Sequence, residues 1–217
     1  MLKIKLLKNK KTKVLTLQAW LLIILIIFNL FILFKYKVYP FLATNKTVNA
    51  EILVVEGWLP DYALKNAVNE YKTNNYKIII TTGVPLLKGY YLSEYQNFAN
   101  ISKKTLIKLG LDETKIIAIP TKNVKKDRTY ASAIAVRNWL NENKPRIKSI
   151  NVYTLGSHSR RTLLLYNEAF NNDVIIGIYA HNNRDFKDKE WWTTSQGVRT
   201  VIGNFIAYIY AKFFFYP

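Results

Sequence analysis

The segment Gly156-Ser157-His158-Ser159-Arg160-Arg161 gathers hydroxyl, imidazole and guanidinium groups between a β-branched apolar run and a helical pattern. At a strand-to-helix junction the first-turn amides point beyond the sheet, and such a helix start favours anions. Ser157 is the expected N-cap. His158 and Arg161 add donors and positive charge suited to phosphate or carboxylate. Cationic side chains at a helix N-terminus oppose the macrodipole, and an anionic ligand removes that conflict. From spacing alone a second reading stays open, in which His158 caps the helix or bonds a carbonyl and the arginines pair with carboxylates.

Two further groups belong with this segment. Asp127-Arg128-Thr129 opens another helical pattern after a strand, with Asp127 or Thr129 as its expected cap and Arg128 as a second cation. Glu56 closes the apolar run Ile52-Leu53-Val54-Val55. A carboxylate there is unfavourable if buried and unpaired, so it reaches solvent or meets a partner such as Arg128 or Arg161. No nucleophile elbow, Walker loop, dinucleotide fingerprint or zinc-protease motif is present. Ser157 beside His158 is no triad, because adjacent helical residues point in different directions. The chain has no cysteine and only two histidines, His158 and His181, which leaves no material for thiolate chemistry or a multi-histidine metal centre.

These residues must be held by something, and the pattern says what. Short apolar runs at 52–55, 77–82, 116–119, 147–154 and 174–179 alternate with helical stretches at 60–73, 92–109, 128–141, 157–170 and 194–213. Alternation of this kind requires crossover connections. The expected fold is α/β: a Rossmann-like, doubly wound, mostly parallel five-stranded sheet. Ligands of such sheets bind beyond the carboxyl ends of the strands. That rule selects Glu56-Gly57-Trp58, Thr81-Thr82-Gly83, Asp127-Arg128-Thr129 and residues 154–161.

Ahead of the domain, residues 17–34 carry no charge and are apolar except for Gln18 and Asn29. As a helix they rise about 27 Å, close to the hydrocarbon thickness of a bilayer. Eight lysines and no acidic residue fall within residues 1–37, which leaves +10 of the net +18 for the rest of the chain. Six of those lysines precede the span. The positive-inside rule then places the N-terminus in the cytoplasm and the domain outside it. The expected organisation is a basic leader over 1–16, a signal anchor over 17–38, a linker over 39–50 and an extracytoplasmic domain over 51–217. The lipid bilayer is the expected partner of residues 17–34. A cleaved signal peptide is the rival, but a shorter apolar core and a small-residue cleavage site are missing. Residues 201–215 are too short between charges for a second span. They are expected to close the core, with Phe213 to Tyr216 able to touch the membrane surface. Nucleic acid is not an expected partner, since no recognition motif accompanies the basic charge.

Thr154, His158 and Arg161 resemble the Thr-Ser-x-x-His-x-x-Arg motif of the SanA/ElyC/YdcF-like proteins. The likeness extends to Gly57 after the first strand, Thr82-Gly83 after the second, Glu94 beyond it, and Thr129 with Ala133 where the family shows Asn-Thr-x-x-Asn-Ala. It covers roughly residues 51–213. Trp58, Leu155, Arg128 and Ser132 depart from the family pattern. The resemblance implies a Rossmann-like domain, often behind one membrane helix. It further implies roles in cell-envelope integrity, peptidoglycan or lipid-carrier metabolism. One soluble relative is linked to S-adenosylmethionine.

Taken together, these features lead to the expectation of a bacterial envelope protein that binds an anionic small molecule or lipid-linked ligand. His158 serves as acid/base or phosphate donor, and Arg161 and Arg128 as clamps. Glu56 or Glu94 is the carboxylate, while Gly57, Thr82, Gly83, Asp127, Thr129, Thr154 and Ser157 line the site. No cofactor is specified. The alternatives are a non-catalytic scaffold for envelope proteins and a nucleotide or S-adenosylmethionine binder.

Overall fold

The computed structural model describes residues 15–124 and 126–217, so the six leader lysines lie outside the described residues. Five strands form one parallel sheet: β1 (Ile52–Glu56), β2 (Ile78–Gly83), β3 (Ile116–Pro120), β4 (Ser149–Leu155) and β5 (Ile175–His181). Their order is β3-β2-β1-β4-β5. Helices alternate with them: α2 (Asp61–Thr73), α3 (Phe98–Lys108), α4 (Arg128–Asn143), α5 (Ser159–Ala169) and α6 (Ser195–Phe213). This is the Rossmann-like arrangement expected from the alternation.

The continuous apolar runs of the strands reflect burial on both faces. Leu53, Val55 and Ile79 pack with Ala63, Leu64 and Ala67 of α2 and Leu106 of α3. Ile52, Val54, Ile80 and Val152 face the other way, against Ala133, Val136 and Leu140 of α4 and Tyr166 and Phe170 of α5. The chain order reverses between β1 and β4, so the loops after those strands diverge and leave a crevice above their carboxyl ends.

Three local differences from expectation have physical causes. The helix expected from residue 92 begins only at Phe98. Asn97 caps it by accepting from the Asn100 amide at 2.8 Å, and Pro85 bridges back to Asn97 across the intervening loop. Residues 43–50, expected as a linker, are tied to the domain. Asn151 is buried in the middle of β4, and its amide must be satisfied. It does so by accepting from the Val48 amide (2.9 Å) and donating to the Val48 carbonyl (2.7 Å). Lys46 pairs with Ile178 beside it. The closing helix α6 buries only Gly197 and Val201, so its second half is not core.

The N-terminal helix α1 (Leu17–Leu42) is, among the described residues, the one helix long and apolar enough to cross a membrane. Its last turn, from Val38 onward, belongs to the compact unit that contains the sheet. Val38, Tyr39 and Leu42 are buried there. Ser159 Oγ donates to the Leu42 carbonyl at 3.0 Å, and Arg160 Nε donates to the carbonyl of Phe41.

Candidate functional site

A cavity of about 740 Å³ lies over the carboxyl ends of β1 and β2 and the start of α5. Its lining brings together Glu56, Thr82, Gly83, Asp127, Arg128, Thr129, His158 and Arg161. Two separately read helix starts, those of α4 and α5, therefore converge on one opening. Three more expected residues support it from behind. Thr154 is fully buried and donates to Glu56 Oε2. Ser157 is buried and accepts from Asn204 Nδ2 at 3.0 Å. Gly57 donates its amide to the Thr82 carbonyl at 2.7 Å. Glu94 does not join them; it is exposed in the loop after β2.

The glycines are there for close approach. A Cβ on Gly57 would lie 2.6 Å from the Phe98 carbonyl oxygen, and one on Gly83 2.7 Å from Phe98 Cβ. Only bare backbone lets the first turn of α3 seat against both strand ends. Capping differs from expectation. Ser157 lies in a short 3₁₀ turn (Gly156–His158) ahead of α5, and His158 takes the cap position without a side-chain bond. Asp127 takes the cap position of α4 in the left-handed region (φ 56°), again without a side-chain bond, and Thr129 is inside the helix. Both helix starts on the cavity thus lack a side-chain cap.

Glu56 is only 3% exposed. Burial pushes its carboxyl up to about 7, against the hydrogen bond from Thr154 and the charge of Arg161. His158 Nε2 lies 3.7 Å from Glu56 Oε1, too long for a hydrogen bond. Burial, with the Arg161 charge, holds the imidazole down to about 3, so it is neutral. At neutral pH the two are accordingly no ion pair but a neutral imidazole facing a half-protonated carboxyl.

The second imidazole nitrogen, Nδ1, is 3.1 Å from Asn204 Oδ1. Asn204 is itself oriented by donating to Ser157, which leaves Oδ1 as the acceptor. Bonding to Asn204 places the proton on Nδ1 and leaves Nε2 bare. Arg161 Nη2 also lies 3.1 Å from Nδ1 and, as a donor only, competes for the same nitrogen in its unprotonated form. Trp58 closes the site from outside, its ring edge-on to the imidazole at 5.0 Å.

The second reading of the basic segment required its arginines to be neutralised internally. Among the described residues, Arg128, Arg161 and Arg199 form no ion pair. Burial pulls the Arg161 pKa down and Glu56 opposes that shift. Arg160 points elsewhere, stacking over Phe41 at 4.0 Å. Three buried polar atoms on lining residues have no partner: His158 Nε2, Arg161 Nε and Thr82 Oγ1. Unmet groups of this kind are uncommon in a folded interior.

Sequence reasoning overlooked the contribution of α6, which supplies Gln196, Arg199, Thr200, Asn204 and Tyr210 to the lining. The signal was legible: Gln196, Thr200 and Asn204 recur every four residues, a polar stripe on a helix whose other residues are mostly apolar. Lys126 and Asp185 add charge at the rim. The chain matches no known family model and no curated protein.

Proposed function

We propose that the domain binds a protonated or hydroxyl-bearing oxyanion, of which a phosphate monoester is the simplest case, in the cavity above β1 and β2. The three unpartnered atoms carry this reading. Arg161 Nε and Thr82 Oγ1 are donors that anionic oxygens satisfy, and bare His158 Nε2 is an acceptor that a P–OH or neighbouring hydroxyl satisfies. Arg128, Arg199 and Lys126 outnumber Asp127 and Asp185 at the rim, which draws anions towards the opening. The uncapped start of α4 adds backbone amides to the same end.

The site is equipped for a proton transfer as well as for binding. His158 Nε2 accepts a hydrogen bond from a bound hydroxyl, and Glu56, its carboxyl pushed up to about 7 by burial, can take or return a proton beside it. Thr154 and Ser157 act as positioning residues, fixing the carboxyl directly and the imidazole through Asn204.

The spacing of Thr154, His158 and Arg161, with Gly57 and Thr82-Gly83, supports membership of the SanA/ElyC/YdcF-like proteins. A membrane-length apolar helix behind a lysine-rich start supports a bacterial inner-membrane anchor with the domain outside the cytoplasm. The ligand then belongs to the envelope: a phosphorylated peptidoglycan or lipid-carrier intermediate. Mass spectrometry of small molecules co-purifying with the full chain tests this. A phosphorylated species retained by the wild type and lost from Arg161→Ala supports the reading; identical profiles contradict it.

A further inference from the structure

We propose that the outer face of the second half of α6, with the residues after it, is a lipid-docking surface that holds the cavity end of the domain against the bilayer. Ile206 and Phe213 are each 62% exposed and Tyr216 87%, with Tyr210 and Phe214 also exposed. Residues 206, 210 and 213 fall on one stripe of the helix. Large apolar groups lined up in this way on a solvent-facing helix mark a contact surface.

The location selects the occupant. Tyr208 of α6 meets the ring of Phe41 edge-on at 5.4 Å, and Phe41 lies in the turn through which the chain enters the domain. Lys35 and Lys37 are the first charges after the apolar stretch, and they mark the edge of the hydrocarbon region. Phe41 is four positions after Lys37, at most about 14 Å even when fully extended. Whatever angle the preceding helix takes, α6 is tethered within reach of the headgroups. Its composition suits them, with tyrosines and phenylalanines beside Lys212. Tyr210 also lines the cavity, so one helix forms both a wall of the site and the docking face.

The chain has no cysteine, so Phe213→Cys and Ile206→Cys each create a single labelling site. Lys144→Cys, beyond the opposite end of the sheet, is the control. The full chain is reconstituted in vesicles of phosphatidylcholine and phosphatidylglycerol and labelled with an environment-sensitive fluorophore. Headgroup spin-labelled lipid should quench the labels at 206 and 213 several-fold more than the label at 144. Quenching at either position no greater than at 144 overturns the proposal. So does a blue-shifted label that lipid fails to quench, which would identify a second copy or another protein on this face. Ligand binding plays no part in this readout, so its failure leaves the anion-site reading standing.

Discussion

Asn204 Oδ1 lies 3.1 Å from His158 Nδ1 while its amide nitrogen donates to Ser157, so in the proposed arrangement a residue of the last helix decides which imidazole nitrogen is bare. Nitrogen-15 NMR should report a neutral His158 with the proton on Nδ1 at pH 7. Asn204→Leu should mix the tautomers and weaken anion binding roughly two- to tenfold, the worth of one hydrogen bond. A wild-type proton on Nε2 would contradict the arrangement.

Glu56 and His158 set opposing pH dependences. The Glu56 carboxyl, raised from 4.5 to about 7, keeps its proton in the fold after the unfolded chain has lost it, so this contribution to stability falls as pH rises between those values. His158, lowered from 6.5 to about 3, stays neutral in the fold while the unfolded chain protonates, so its contribution falls as pH drops between those values. From about 4.5 to 6.5 the two largely cancel. Glu56→Gln removes the first, and urea unfolding should then show stability rising with pH across this window where the wild type is nearly flat. The Gln variant should also be the more stable protein above pH 7. A variant profile that stays as flat as the wild type would contradict the buried carboxyl.

On the proposed function, Arg161 is kept for a ligand at the expense of the apo fold. Burial of a cation without an ion pair is destabilising, and an apolar replacement of similar volume is often neutral or better. Arg161→Met should therefore melt at or above the wild-type temperature and yet bind inorganic phosphate at least about tenfold more weakly, as expected for loss of a charge-assisted hydrogen bond. A large fall in melting temperature would recast the residue as structural.

The last turn of α1 is a structural part of the domain. A chain beginning at Val38 keeps Tyr39 and Leu42, both buried; one beginning at Asn45 loses them. Each large apolar side chain contributes about 1.5–3 kcal/mol through burial. The shorter chain should thus unfold at markedly lower urea, by a few kcal/mol in all. Equal midpoints would show that residues 38–44 contribute nothing to the fold.

How much of this was legible beforehand follows from which forces are local. The sheet and its helices were readable because the runs around Val54, Ile80 and Val152 are apolar on both faces, and a strand buried twice announces itself. The convergence of Arg128 and Arg161 was readable from topology, since strand ends share one side of a parallel sheet. Ser157 and Asp127 looked like caps because their side chains suit that role, but a long-range contact claimed Ser157 through Asn204, and Asp127 takes the cap position in the left-handed region without a side-chain bond. Glu94 looked close in sequence to the strand end, yet the loop before Asn97 carries it outward. The polar stripe of Gln196, Thr200 and Asn204 was legible as a stripe, but that it faces the cavity was not, because α6 reaches the cavity only through the tertiary fold.

The central claim is that unpartnered groups on Arg161, His158 and Thr82 form one anion site. Titration of the wild-type chain with inorganic phosphate, followed by calorimetry, tests it most directly. Saturable one-to-one binding is expected, weakened at least about tenfold in Arg161→Ala and clearly reduced in His158→Ala. Binding that is absent in the wild type, or unchanged in both variants, would contradict it.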